Sequence, residues 1–594
     1  MPGIVGIICS SGNPECPALV NAMLTTMKHE NFYRTAKHSA PEMNTFAGFT
    51  GFEDSTDGIF SDESGDVSVI FSGECFVGSE IVSGNKLIQL YKNEGPQFIE
   101  KLNGLFCGLL IDKQRQKILL FNDRYGIQRI YFHERNGAFY FASEAKALLR
   151  VLPEQRQFNP EGVADFLTFG CTLDWKTLYK GIETLPGASV WSFKNGHCRK
   201  EKYFSQETWE SQPQLAAKEF ENRFQETFKR ILPRYFEAPK IGIALTGGLD
   251  TRMIMACRPQ NNGHTTSYTF TGDNGQTLDD KIAARVAATS HLEHNVLRLD
   301  TDFFSDFASQ VDKTVFITDG SAGVFNAHEI YFNHKAQQLA PVRLTGNYGS
   351  EILRSTSTFK QVPLAPELFN PDWRAKITER AQILTTHKAQ PLTFAAFKEI
   401  PWNLFGNLEA GRSQLRFRSP YLDNELVALA FQAPEEVRRS SLPSFRLVRA
   451  NDRTLSEIPT DRGFAGDNTG LKFWYRRLFA ETTFKLDYYN NEGLPSLLAP
   501  FDPVFKYTAS RLGILGLHKF LRYRSWFRKE LAGYIQESFS NLQKSLGDFW
   551  NPDFVKRMAN EHIGGQKNYS LEINTILSLD AVDRLLLRAT PGNL

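Results

Sequence analysis

The chain has 594 residues, 41% of them hydrophobic and 23% charged, which supplies several buried cores and is too long for one domain. Its 68 basic and 66 acidic side chains leave a formal charge of +2, so composition makes no electrostatic case for nucleic acid or a membrane surface, and the 48 phenylalanines argue against disorder. No run of eighteen apolar residues occurs, and the seven cysteines, odd in number and without a CxxC, read as reduced thiols of a cytoplasmic protein.

In chain order, GIVGIICS, VSVIFSGECFV, GLFCGLLID, KILLFNDRYG and IYFHERNGAFYFASEAKALL read as short strands between turns. Helices are predicted near Pro17 to Lys28 and Asn85 to Asn93, so the first two hundred residues read as stacked antiparallel sheets. The polar stretch Ser205 to Pro213 reads as a linker. Phe220, Phe224, Phe228 and Ile231 then mark one apolar face of a helix. It leads into IGIALTGGLDTRMIMA, Ile241 to Ala256, which reads as strand, glycine turn and helix. Such a turn aims backbone N–H groups at an anion with the positive end of a helix behind it. Asp250 beside bound phosphates then calls for a divalent metal between the charges, whereas the bland alternative is a strand-turn-helix with no ligand. TTSYTFTG, TLDDKIAARVAATSHLEHNVL and PVRLTGNYGSEIL continue the alternation of strand and helix, which predicts a parallel sheet with its ligand at the carboxyl ends of the strands. In the last hundred residues LHKFLRYRSWFRKELAGYI is basic and aromatic. Leu517, Leu521, Phe527, Leu531 and Tyr534 give it a packing face, which is preferred to a surface for nucleic acid or anionic lipid.

Several of these stretches resemble a known family. TGGLDT resembles the SGGLDS pyrophosphate loop of the ATP pyrophosphatases, with Thr246 and Thr251 at the serine positions. FNDRYGIQRIYF with FYFASEAKALL, and LNGLFCGLLID, resemble the glutaminase domain of the glutamine-hydrolysing asparagine synthetases, and the likeness runs through nearly the whole chain. It implies a fold of α/β and α+β class. Residues 1–205 would form stacked antiparallel sheets of the Ntn-hydrolase kind. Residues 206–470 would form a doubly wound parallel sheet of the adenine nucleotide α-hydrolase kind, and residues 471–594 a helical extension. The start departs from the family: its nucleophilic cysteine follows the initiator methionine, and here that residue is Pro2. Ser72-Gly73-Glu74-Cys75-Phe76-Val77 replaces the family's NGEIYN, and its arginine motif is not recognisable near residues 40 to 60. Cys9 lies within a strand and is expected to be a structural thiol. The glutaminase domain is therefore expected to be inactive, as in the β-lactam-forming members.

The resemblance also implies site residues. Leu245, Thr246, Gly247, Gly248, Leu249, Asp250, Thr251, Gly346 and Asp279 are expected to bind the nucleotide, with Asp250 and Glu351 sharing Mg²⁺. Asp279 reads equally well as a helix N-terminal charge. Asn347 and Ser350 replace two further family acids, and Tyr348-Gly349-Ser350 is similar to the YGS whose tyrosine helps deprotonate an amine in β-lactam-forming members. His294 takes the place of a family histidine but is read as a packing residue. Asp319-Gly320 either faces the adenylate or forms a turn. In LRFRSPYLDNELVALA, Arg418, Pro420, Leu422 and Asp423 fall on the family motif, and Arg416 replaces its glutamate. The family's adenylation lysine reads Asp461, with Arg462 the nearest cation. Arg462, Tyr348 and Glu351 are the expected catalytic residues. The implied function is an ATP- and Mg²⁺-dependent ligase joining a small carboxylic acid to ammonia or an amine, with a homodimer as a possible assembly. Alternatives are an ammonia-using asparagine synthetase and a non-catalytic nucleotide-binding protein.

Overall fold

A computed structural model describes residues 2–10, 14–53, 56–194, 197–259, 264–272, 277–382, 390–465, 470–492, 521–542 and 549–589. The N-terminal strands are β1 (Gly3–Cys9), β2 (Tyr33–Ala40), β3 (Thr45–Phe52), β4 (Gly58–Ser61), β5 (Val67–Val77), β6 (Glu80–Ile81), β7 (Asn103–Asp112), β8 (Lys117–Asn122), β9 (Tyr131–Arg135), β10 (Ala138–Ala142), β11 (Glu183–Thr184), β12 (Ser189–Lys194) and β13 (His197–Lys202). They form two antiparallel sheets, β11-β9-β10-β1-β3-β2 and β13-β12-β8-β7-β5-β4, with β6 paired to β5. Alternation along β1 explains the stacking. Ile4 and Ile8 face the second sheet at Ile70, Leu109 and Leu120, while Val5 and Ile7 face Val20, Met23 and Leu148 of the covering helices. On the far side of the second sheet, Leu87, Ile88 and Tyr91 of the helix Gly84–Glu94 cover Val69, Phe71 and Leu110. The layers run helix, sheet, sheet, helix, so the inner strands are buried on both faces and carry long apolar runs.

The second half is built on β14 (Lys240–Ala244), β15 (His264–Thr271), β16 (His294–Arg298), β17 (Val342–Thr345) and β18 (Arg416–Arg418), all parallel and ordered β16-β15-β14-β17-β18. The chain adds strands to one side of β14 and then returns to the other, so the order reverses between β14 and β17. Phe220, Phe224, Phe228 and Ile231 of the helix Ala217–Ile231 are all buried, as their spacing predicts. Within the expected linker Trp209, 5% exposed, sits against Phe204, Phe397 and Phe431, because one indole buries enough surface to fix a polar segment.

The two halves share a core. Val5 and Leu148 of the sandwich belong to the same buried cluster as Phe332 of the second half and Trp526 and Ile573 of the C-terminal helices. Phe527 and Leu531 are buried in it and Leu521 and Tyr534 pack against it, while Leu517 lies outside the described residues. Among the described residues no helix is long and apolar enough to cross a membrane.

Candidate functional site

Past β14 the chain turns through Thr246, Gly247 and Gly248 into the helix Leu249–Ala256. Neither glycine has positive φ; Gly248 is extended at φ −78° and ψ 175°. Gly247 is small for a different reason. A Cβ there would lie 2.8 Å from Asp279 Oδ1 and 3.1 Å from Asp461 Cβ. Past β17 a second turn, Gly346 to Tyr348, comes so close that a Cβ on Gly346 would lie 2.7 Å from the Thr251 nitrogen. Between the two turns is a cavity of about 140 Å³, lined by Leu245, Thr246, Gly248, Asp250 and Thr251 on one side and Thr345, Gly346 and Asn347 on the other, with Phe270 and Arg343. It occupies the carboxyl ends of β14 and β17, where strand order reverses and where open parallel sheets take their ligands.

Two loop amides already have partners. The Gly247 N–H donates to Asp279 Oδ1 at 2.8 Å and the Gly248 N–H to Thr246 Oγ1 at 3.3 Å. Asp279, in the first turn of Leu278–Thr289, is thus both a helix-start charge and a brace for the loop. Arg252 is a second brace that the sequence did not single out. Fully buried, it donates to the Ile458 carbonyl and to the Gly247 and Pro459 carbonyls at 3.4 and 3.3 Å, tying the loop to the segment before Asp461.

Asp250 does not present an open carboxylate. Arg354 Nη2 donates to its Oδ1 at 2.8 Å and its Oδ2 at 2.7 Å, and Ser350 Oγ donates to Oδ2 at 3.2 Å. Both partners come from the helix Gly349–Arg354, which also carries Glu351. Burial, with the Asp250 charge adding, pushes the Glu351 carboxyl up to about 7. As placed, the residues do not fit a divalent cation shared by Asp250 and Glu351. One carboxylate is occupied by a guanidinium, the other is held near neutrality, and among the described residues no three ligating side chains cluster. Arg354 was missed because a basic residue in a last helical turn reads as a dipole partner.

Other expected residues lie outside the cavity. Tyr348, in left-handed conformation at φ 73°, is buried in the core of the second half, where burial raises its phenol. Glu351 and Arg462 do not line the cavity either. The Arg462 guanidinium lies 3.8 Å from the Phe484 ring centroid, and Asp461, pushed up to about 6 by burial and by Asp279, stands between it and the loop. Asp319 does not face the loop. It is 5% exposed, accepts from the Ala145 and Lys146 amides at 2.6 and 3.1 Å, and pairs with Lys146 Nζ at 3.1 Å, so its role is to hold the sandwich. His294 packs between the Ser267 and Thr269 hydroxyls at 2.9 and 3.2 Å.

A second cavity, of about 80 Å³, lies between the halves and is lined by Pro2, Ser72, Glu74, Gln128, Arg416 and Arg418 among others. Glu74, in the segment that replaces NGEIYN, is bound by Arg418 Nε and Nη2 at 2.7 and 2.6 Å.

A family model described as a glutamine amidotransferase domain matches residues 83–204. The putative asparagine synthetase (glutamine-hydrolyzing) 2 of Methanocaldococcus jannaschii is 22% identical over 48% of this chain and 58% of its own length. Amidase chry2 of Gibberella zeae is 24% identical over 70% of this chain and 64% of its own. For asparagine synthetase (glutamine-hydrolyzing) 2 of Bacillus subtilis the values are 23%, 57% and 49%. The matches thus span between 49% and 64% of these relatives' lengths. With an antiparallel sandwich followed by a parallel sheet that carries a TGGLDT loop, the chain is similar to the asparagine synthetases in both architecture and sequence.

Proposed function

We propose that the protein is an ATP-dependent amide-forming ligase that adenylates a carboxylic acid, releasing pyrophosphate, and passes the acyl group to ammonia or an amine with release of AMP. The observation that carries this is the cavity between the TGGLDT turn and the Thr345–Asn347 turn, at the reversal of strand order. A carboxylate is a poor electrophile and amide formation in water is uphill, so the acid is first joined to a good leaving group. In the cavity the Thr246 and Thr251 hydroxyls, with the positive end of the helix Leu249–Ala256 behind them, hold the departing pyrophosphate. No magnesium ligands are assigned, since Asp250 is committed to Arg354.

The nitrogen is taken from solution in this proposal. Pro2 lines the inter-domain cavity with Ser72 and Glu74 and offers no side-chain nucleophile for glutamine hydrolysis. Arg416, a cation where the family has a glutamate, favours an acid other than aspartate. The seven cysteines, unpaired in the structure, are consistent with a cytoplasmic setting.

The test is formation of AMP and pyrophosphate from ATP with a panel of carboxylic acids and amines, using wild type and Gly346→Val, whose side chain presses on Thr251. Formation by wild type alone supports the proposal. ADP as the product refutes it, and glutamate release from glutamine refutes the inactive glutaminase. An arm with aspartate and ammonium identifies an asparagine synthetase. A non-catalytic nucleotide binder is the second reading, favoured by the stacking of Arg462 on Phe484 away from the cavity. Nucleotide binding without AMP would select it.

A further inference from the structure

Arg343 on β17 lines the cavity and is 8% exposed. Its Nη1 donates to Asn333 Oδ1 at 2.7 Å, its Nε has no acceptor, and it forms no ion pair among the described residues. Asn333 is itself buried, and its amide relays to the Glu329 carbonyl at 2.7 Å and the Glu329 carboxylate at 3.3 Å. The guanidinium is sandwiched 4.7 Å from the Phe270 centroid and 5.2 Å from that of Phe417. Flat packing between rings holds a cation but does not neutralise it. A buried charge without a counter-ion is costly, and proteins keep one where something else supplies the opposite charge. Asp250, the other charged residue on the cavity wall, does not supply it, because its oxygens face Arg354. The cavity therefore carries an excess of positive charge before any metal arrives.

We infer that Arg343 is the anion-binding residue of this cavity and that the condensed phosphate of the nucleotide is bound there by protein cations, without a divalent metal bridging it to Asp250. This rests on the nucleotide reading of the loop and extends it. An aqueous cavity opposite Asp250 needs a metal to make phosphate tolerable. Here Arg354 neutralises that carboxylate from behind and Arg343 meets the phosphate, whose planar pairs of oxygens match the guanidinium fork. Cavities of about 150 Å³ hold a six-membered ring, so this one, of about 140 Å³, has room for the phosphates.

The experiment is calorimetric titration of the full chain with inorganic pyrophosphate, once in EDTA and once in excess Mg²⁺, for wild type and Arg343→Met. Wild type is expected to bind in EDTA. The variant should bind on the order of 10- to 100-fold more weakly in either buffer, the loss of one charge-assisted contact. Its melting temperature without ligand should be no lower than that of wild type, since it loses an uncompensated buried charge. If the methionine variant does not fold, Arg343→Gln, which keeps a donor for Asn333 without the charge, should show the same loss. Binding that appears only with Mg²⁺, or variants that bind as wild type does, would overturn the role of Arg343 and leave the nucleotide site standing. No binding in either buffer would bring down both.

Discussion

Glu351 offers a quantitative check on the electrostatics around the loop. Its carboxyl is raised from the ordinary 4.5 to about 7, first by burial and then by the Asp250 charge. The raised value makes the folded state hold its proton after the unfolded chain has lost it. Below pH 4.5 both states are protonated and Glu351 is neutral to stability. Between 4.5 and about 7 the unfolded state gains, and above 7 the deficit is constant. The shift corresponds to about 3 kcal/mol lost across that window. Glu351→Gln removes the titration and keeps the shape. It should match wild type near pH 4.5 and exceed it by up to about 3 kcal/mol at pH 8, or about 6–12 °C if the second half melts as a unit of 150–250 residues. The assay is thermal unfolding at pH 5, 6, 7 and 8. Asp461 also titrates high, but it is common to both proteins and cancels in the difference. A stability difference equal at pH 5 and pH 8 would refute the buried-acid account. Repeating the series with Mg²⁺ addresses the expected metal site: a metal on Glu351 would pull its carboxyl down and stabilise wild type at pH 8 but not the glutamine variant.

Two further substitutions test charges whose partners only the fold reveals. Asp250→Asn strands the Arg354 guanidinium in a largely buried setting and should cost about 3–5 kcal/mol, most of it recovered in Asp250→Asn with Arg354→Met; denaturant unfolding of the two singles and the double gives the coupling, and additive losses would mean the pair is not a unit. Lys146→Met removes the cation that Glu144 and Asp319 share, and should cost a similar amount at pH 8 but less at pH 4, because burial raises the Asp319 carboxyl and so favours its neutral form as the pH falls. Equal losses at both pH values would argue against that assignment.

Pattern made some of this visible in the sequence and left the rest hidden. Val67–Val77 is apolar at seven of its 11 positions and Ala217–Ile231 carries its phenylalanines at helical spacing, so each announces its element. β2 was not read. Its YRTAKHSA is an edge strand with intermediate or exposed residues between Tyr33 and Ala40, so alternation has too few apolar members to show. The loop was legible because its residue types state their geometry. The partners of its charges were not. Arg354, 104 positions from Asp250, carries no mark of that pairing, and Asp319 is 173 positions from Lys146. Arg343 did leave a trace: it is the one cation in the strand Val342–Thr345, all four residues of which are buried, which is unusual enough to ask what it faces.

The same buried charges bear on why a sandwich with proline at the family's nucleophile position is kept. Arg418 of β18, 3% exposed as a side chain, takes its counter-ion Glu74 from the sandwich. Asp319 takes Lys146 and two amides from it, and Asp423, already paired with Arg234, accepts from Asn103 at 3.0 Å. Removing the sandwich would expose the shared apolar core, leave Arg418 without its counter-ion and leave the Asp319 carboxylate without its cation and amides. Restoring water to those groups does not restore the packing they hold. β18 pairs with β17, which carries Arg343 and runs into the turn that closes the cavity. The sandwich thus sets the position of the strands that form the cavity, a structural role that stands apart from any catalysis of its own.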